Sequence, residues 1–216
     1  MLYVFGDSWA EGAELNDSEK PFAFYLAELL NSECQNLGRS GMSLGHILQT
    51  VITTVDNLAE NDTVVVIIPP DIRWYNIDNQ YSFKSLSIGK PEYARLADTL
   101  SVEWFIYHHN LFIYTIISMI TQKTKNLVLA HNYGKLVIHE WFDNKIDRQY
   151  FLNENSLTAL LGSDEWLRNY SKHDRKDGPN SPEQFFGKYF EGKLTHPNDL
   201  GHQQIAKILY DKLQQK

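Results

Sequence analysis

Residues 63–68 read Thr-Val-Val-Val-Ile-Ile, an apolar, β-branched run with no polar interruption after the threonine. A strand with one wet face alternates apolar and polar side chains. An unbroken run of this length therefore belongs to a strand covered on both faces, as in the middle of a parallel sheet. Parallel neighbours cannot be joined by tight turns, so helices must cross over the sheet and cover it. The remaining sequence agrees. Leu2–Phe5 and residues 126–130 (NLVLA) read as further strands, with a shorter one at residues 33–36. Between them, Phe22, Tyr25, Leu26, Leu29 and Leu30 share one helical face, and Leu44, Ile47, Leu48, Val51, Ile52, Val55 and Leu58 keep a helical period. A last helix is expected after Pro197, which suits an early helical position, with Leu200, Ile205, Ile208, Leu209 and Leu213 turned inward.

The chain has 216 residues, a length that fits one domain over residues 1–216. Two stretches break the alternation: residues 71–100, rich in Tyr, Asn, Ser and Gly, and residues 170–191, polar and punctuated by Gly178-Pro179 and Ser181-Pro182. Insertions of this length inside a compact domain are usually functional. A single cysteine, Cys34, excludes an intrachain disulfide and any zinc site built on paired cysteines. A formal charge of −7 argues against binding to nucleic acid or to an anionic membrane. The apolar segment at residues 111–120 is half the length of a membrane span and reads as a buried helix. The start, MLYVFGDS, has no basic region of a secretory signal; with the free cysteine it suggests a cytoplasmic protein, and a virion component made in the cytosol fits equally.

In an open parallel sheet, ligands bind beyond the carboxyl ends of the strands, where the strand order reverses. Three loops occupy that edge: Gly6-Asp7-Ser8-Trp9, Asn36-Leu37-Gly38-Arg39-Ser40-Gly41 and Pro69-Pro70-Asp71-Ile72-Arg73. Ser8 opens the turn after the first strand. The backbone N–H groups of Ser8 and Gly41 are placed to face a bound oxygen, as in an oxyanion hole. A serine nucleophile needs a base, and His196, just before the last helix, is placed to serve. The alternative for Gly6-Asp7-Ser8 is a simple turn and helix cap. Gly38, Gly41 and Gly45 lack the Gly-Lys-Ser/Thr ending of a phosphate loop, and the histidines at 108, 109, 131 and 139 have no metal-ligand spacing. His46 and His202 read as surface or packing residues. Trp74, Tyr75, Tyr81 and Tyr93 suit either stacking on sugar rings or pinning the insertion to the core.

GDSW (6–9), NLGRSGMS (36–43) and HPNDLGHQQIA (196–206) resemble the first, second and last sequence blocks of the SGNH, or GDSL-type, hydrolases. The resemblance implies a flavodoxin-like three-layer α/β/α sandwich with a central parallel sheet of about five strands. It also implies ester hydrolysis through an acyl-serine, often of acetyl groups on carbohydrate or of acyl chains on small molecules, with no metal or organic cofactor. Carried over, Ser8 is the nucleophile, the Ser8 and Gly41 amides bind the oxyanion, and His196 is the base. Activity should then rise with pH as an ordinary histidine, near about 6.5, loses its proton. Trp9, Arg73 and Trp74 are expected to line the substrate site.

Two positions depart from the family pattern. Asp71 stands where the family has an oxyanion-binding asparagine; it can serve in the oxyanion hole only when protonated, with Arg73 or Asn132 as substitute donors. Lys193 stands three residues before His196, where the family has the aspartate that orients the imidazole; Glu191, Asp177 or a backbone carbonyl are the candidate replacements. The alternative function is accordingly a catalytically impaired binding module that recognises a glycan or a partner protein.

Overall fold

The computed structural model describes residues 1–69, 74–77, 83–86, 101–132, 137–153, 155–161, 190–191 and 196–215, with backbone alone for 74–77, 83–86, 102 and 190–191. In chain order these form β1 (Leu2–Phe5), α1 (Ser8–Glu11), α2 (Phe22–Leu30), β2 (Cys34–Asn36), α3 (Leu44–Thr54), β3 (Thr63–Ile68), β4 (Trp74–Ile77), β5 (Phe83–Leu86), α4 (Val102–Thr121), β6 (Asn126–His131), α5 (Leu157–Leu160), β7 (Phe190–Glu191), β8 (His196–Pro197) and α6 (Asp199–Gln214).

Four strands make a parallel sheet in the order β2-β1-β3-β6. Leu2 pairs with both Cys34 and Thr63, and Thr63 with Asn126, so the strands start level and end on one edge. A further parallel bridge, Leu129 to Phe151, continues the sheet beyond β6. Successive side chains on a strand point to opposite faces, and here they divide between two cores. Tyr3, Phe5, Val64, Val66, Ile68, Leu127 and Leu129 face α3 and α4, whose Ile47, Val51, Ile113, Ile116 and Ile120 are buried against them. Leu2, Val4, Val65, Ile67, Val128 and Ala130 face α1, α2 and α6, meeting Trp9, Phe22, Leu26, Ile205 and Leu209. The unbroken run of β3 is thus apolar because both faces are covered. The architecture is a three-layer α/β fold.

Two local expectations are corrected. Leu29 and Leu200 lie 48% and 53% exposed, because α2 and α6 pack against each other through Phe22, Leu26, Ile205 and Leu209 rather than through those positions. Pro197 belongs to β8, and α6 begins after Asn198, whose side chain accepts from the Gly201 N–H at 2.9 Å. Within the 71–100 insertion, β4 and β5 form an antiparallel hairpin that lies beside α3. The apolar stretch at 111–120 sits inside the twenty-residue α4, and no described helix is long and apolar enough to cross a membrane.

Candidate active site

The carboxyl edge of the sheet is organised around the short turn that follows β1. Gly6 sits where a Cβ would lie 2.7 Å from Ala10 Cβ and 2.9 Å from Ile67 Cβ, so its bareness lets α1 fold back over β3. Asp7 caps α1, its Oδ1 accepting from the Trp9 N–H at 3.1 Å. It is fully buried, and Asn132, immediately after β6, donates its Nδ2 to both carboxylate oxygens at 3.0 and 3.1 Å. The bland reading of Gly-Asp-Ser as a turn and cap therefore accounts for Asp7. It leaves Ser8 unexplained: the residue is 3% exposed, and among the described residues its Oγ has no hydrogen-bond partner. Buried hydroxyls are rarely left so, and such a group calls for an explanation.

The second loop is clamped to the same turn. Asn36 Nδ2 donates to the Ala10 carbonyl at 2.7 Å, Arg39 N–H to the Gly6 carbonyl at 3.2 Å, and Ser40 N–H to Glu11 Oε2 at 2.7 Å. Gly38 makes this approach possible, since a Cβ there would fall 2.7 Å from the Ala10 carbonyl carbon and the Glu11 nitrogen. Gly41 follows in the left-handed region, with φ +77°. The loops carrying Ser8 and Gly41 therefore meet at the edge between β1 and β2.

His196 arrives from the other end of the chain. It lies on β8, antiparallel to β7 with Glu191 as its backbone neighbour, and β8 packs against both α1 and α6. The histidine is 7% exposed. Its Nδ1 lies 3.0 Å from Oε2 of Glu14, two residues beyond the glycine that ends α1. An ionised carboxylate only accepts, so a neutral imidazole that bonds to one does so through an Nδ1–H and keeps Nε2 as an acceptor. Ser8 and His196 are thus brought to neighbouring elements, with no hydrogen bond between them.

One turn into α6, His202 is fully buried and its Nδ1 accepts from the Phe22 N–H at 3.1 Å. Burial pushes its pKa down to about 4, opposed by nearby Asp199 and reinforced by His196. Of the surface and packing readings left open for it, its burial selects packing.

Other expected site residues fall elsewhere. Trp9 does not line a substrate surface: it is 1% exposed and packs among the core side chains beneath α1. Asn132, offered above as a substitute oxyanion donor, has its Nδ2 turned to the Asp7 carboxylate. Asp71, Arg73, Asp177 and Lys193 lie outside the described residues, as do the side chains of Trp74 and Glu191. The carboxylate on His196 Nδ1 is that of Glu14, a residue the sequence reading passed over. Its one signal was negative: a lysine where the orienting acid belongs implies an acid from elsewhere. Among the described residues no three His, Cys, Asp or Glu side chains cluster as a metal site requires.

No family model matches the sequence, and no curated protein matches it. Solved structures do share its fold. One is an acetyl xylan esterase, Est2A, from the rumen bacterium Butyrivibrio proteoclasticus, with a TM-score of 0.52 and 14% identity over 99% of this chain and 63% of that one. A second is LAE5, an α/β hydrolase enzyme from the metagenome of Lake Arreo, with a TM-score of 0.51 and 13% identity over 99% and 94%. A third is protein YxiM of Bacillus subtilis, with a TM-score of 0.52 and 14% identity over 100% and 56%. The chain thus spans just over half of the Bacillus protein and under two thirds of the rumen esterase. At these identities the likeness is one of fold.

Proposed function

We propose that the protein is a serine ester hydrolase acting on a small acyl ester, with an O-acetyl group on carbohydrate as the substrate class. The observation that carries this reading is the pairing of a buried Ser8 hydroxyl, unpartnered among the described residues, with a buried histidine on the adjoining element. A turn-and-cap role calls for neither. The fold shared with an acetyl xylan esterase agrees with it.

In this mechanism His196 Nε2 takes the Ser8 proton as Oγ bonds to the ester carbonyl carbon. The oxyanion forms against the backbone amides of Ser8 and Gly41. Collapse breaks the bond to the alcohol, which leaves with the proton from Nε2. Water then attacks the acyl-serine, gives its proton to Nε2, and the acid departs as Oγ is reprotonated. Ser8 Oγ and His196 Nε2 come within hydrogen-bond reach on substrate binding, as catalytic pairs commonly do. The shielding of Ser8 and His196 favours a short acyl group over a long one.

The test is reaction with a fluorophosphonate, read by intact mass, beside turnover of p-nitrophenyl acetate and octanoate. One adduct and acetate-selective turnover, both lost in Ser8→Ala and His196→Ala, are expected. A folded protein with no adduct and no turnover overturns the reading and leaves the binding-module alternative, with residues 71–100 as the place to seek a ligand.

A further inference from the structure

Glu14 stands out on backbone grounds before its partner is considered. The Leu15 N–H donates to the Gly12 carbonyl at 3.2 Å, closing a turn in which Glu14 is the third residue, with φ +72°. That position favours glycine or asparagine, because a Cβ is strained there. The other non-glycine residue with positive φ among those described, Asn31, is of the tolerated type and caps a helix end. A glutamate at a position where glycine would be relaxed points to a use for its side chain.

That side chain ends 3.0 Å from His196 Nδ1, across 182 residues of sequence, and is 31% exposed against 9% for the imidazole. Gly12 and Ala13 N–H both donate to the Ser8 carbonyl, at 3.1 and 2.9 Å. The segment that presents the carboxylate is therefore anchored to the serine itself. The lysine side chain at 193 carries no acceptor, unlike the aspartate that the family has three residues before the histidine.

We infer that Glu14 is the positioning acid of the site: it holds His196 in the tautomer with Nδ1–H, so that Nε2 is free to take the proton of Ser8. Nucleophile and orienting acid then come from one short segment, six positions apart, and the base alone comes from the far end of the chain. The inference rests on the esterase reading above and adds the group that makes the histidine a base.

The experiment compares Glu14→Gln, Glu14→Asp and Glu14→Gly with Ser8→Ala. Glutamine keeps the shape but can donate to Nδ1, which places the proton on Nε2. We expect kcat to fall by about 10² to 10⁴, with KM within about threefold, as when an orienting carboxylate becomes an amide elsewhere. Glu14→Asp retains part of the rate. Glu14→Gly keeps a Tm at or near that of the native protein, loses kcat like the glutamine variant and recovers part of it in added formate. Nitrogen-15 spectra of the imidazole should show Nδ1–H in the native protein and Nε2–H in Glu14→Gln.

If Glu14→Gln and Glu14→Gly keep the native kcat while Ser8→Ala loses it, the assignment is overturned and the esterase reading stands. An Nε2–H tautomer in the native protein overturns it whatever the activity. A native protein that neither reacts at Ser8 nor turns over ester removes the esterase reading, and the role of Glu14 falls with it.

Discussion

At the scale of single residues, the interior side of α6 decides one pH-dependent term of stability. His202 has a native pKa near 4, whereas in the unfolded chain it titrates near the ordinary histidine value of about 6.5. Between those values the unfolded state binds the extra proton, so stability rises with pH through this window and is lost as pH falls from about 6.5 towards 4. The full term is at most about 3 kcal/mol. Urea unfolding at pH 7 and pH 5 should show it, and His202→Leu should flatten the difference. The same substitution removes the acceptor of the Phe22 N–H at the start of α2, where Pro21 gives no side-chain cap, at a cost of about 1–3 kcal/mol at pH 7. Equal pH slopes in native and variant proteins would show that His202 does not stay neutral. Cys34, the lone thiol, is pushed up to about 11 by burial and has no activating neighbour in that shift, which sets it apart from any nucleophilic role.

At the scale of elements, the two glycines of the second loop answer to different physics. Gly38 has an ordinary backbone but no room: a methyl group would meet backbone atoms of α1, which cannot swing aside. Gly41 has open space but a φ of +77°. Gly38→Ala is therefore expected to cost about 1–3 kcal/mol through overpacking and to pry the loop from α1, lowering reaction at Ser8. Gly41→Ala should cost about 1–2 kcal/mol, from backbone strain, with the loop still docked. Denaturant midpoints for the two variants, together with their fluorophosphonate labelling rates, distinguish the cases. A Gly38→Ala protein as stable and as reactive as the native one would mean that the loop does not lean on α1 as described. The elements themselves were largely legible in advance. β1 and β3 coincide with their apolar runs, and α2 and α3 begin where the helical period begins. The misreadings at Leu29 and Leu200 arose because a helical face marks which residues can be buried, while the neighbouring helix decides which of them are.

At the scale of the whole molecule, the edge of the sheet is tied across its central strand. Asp7 follows β1 and Asn132 follows β6, with β3 between them, and their side chains meet 125 residues apart in sequence. Asn132→Leu leaves the buried Asp7 carboxylate without those donors, at a cost of about 2–3 kcal/mol, and should loosen the turn that carries Ser8. Hydrogen exchange at residues 6–12 would register the loosening; unchanged protection there would show that the helix cap alone holds the turn. Sequence by itself determined the parallel sheet, the placing of the loops at its carboxyl edge, and the candidacy of Ser8 and His196. These follow from short-range periodicity and from the rule that an open α/β sheet binds at that edge. Only the tertiary structure decided that Trp9 is interior, that Asn132 serves Asp7, and that the acid facing His196 is Glu14. Each depends on which side chains from distant segments come within about 3 Å of one another, and hydrogen bonding at that range is set by how the layers pack, for which no local pattern stands in.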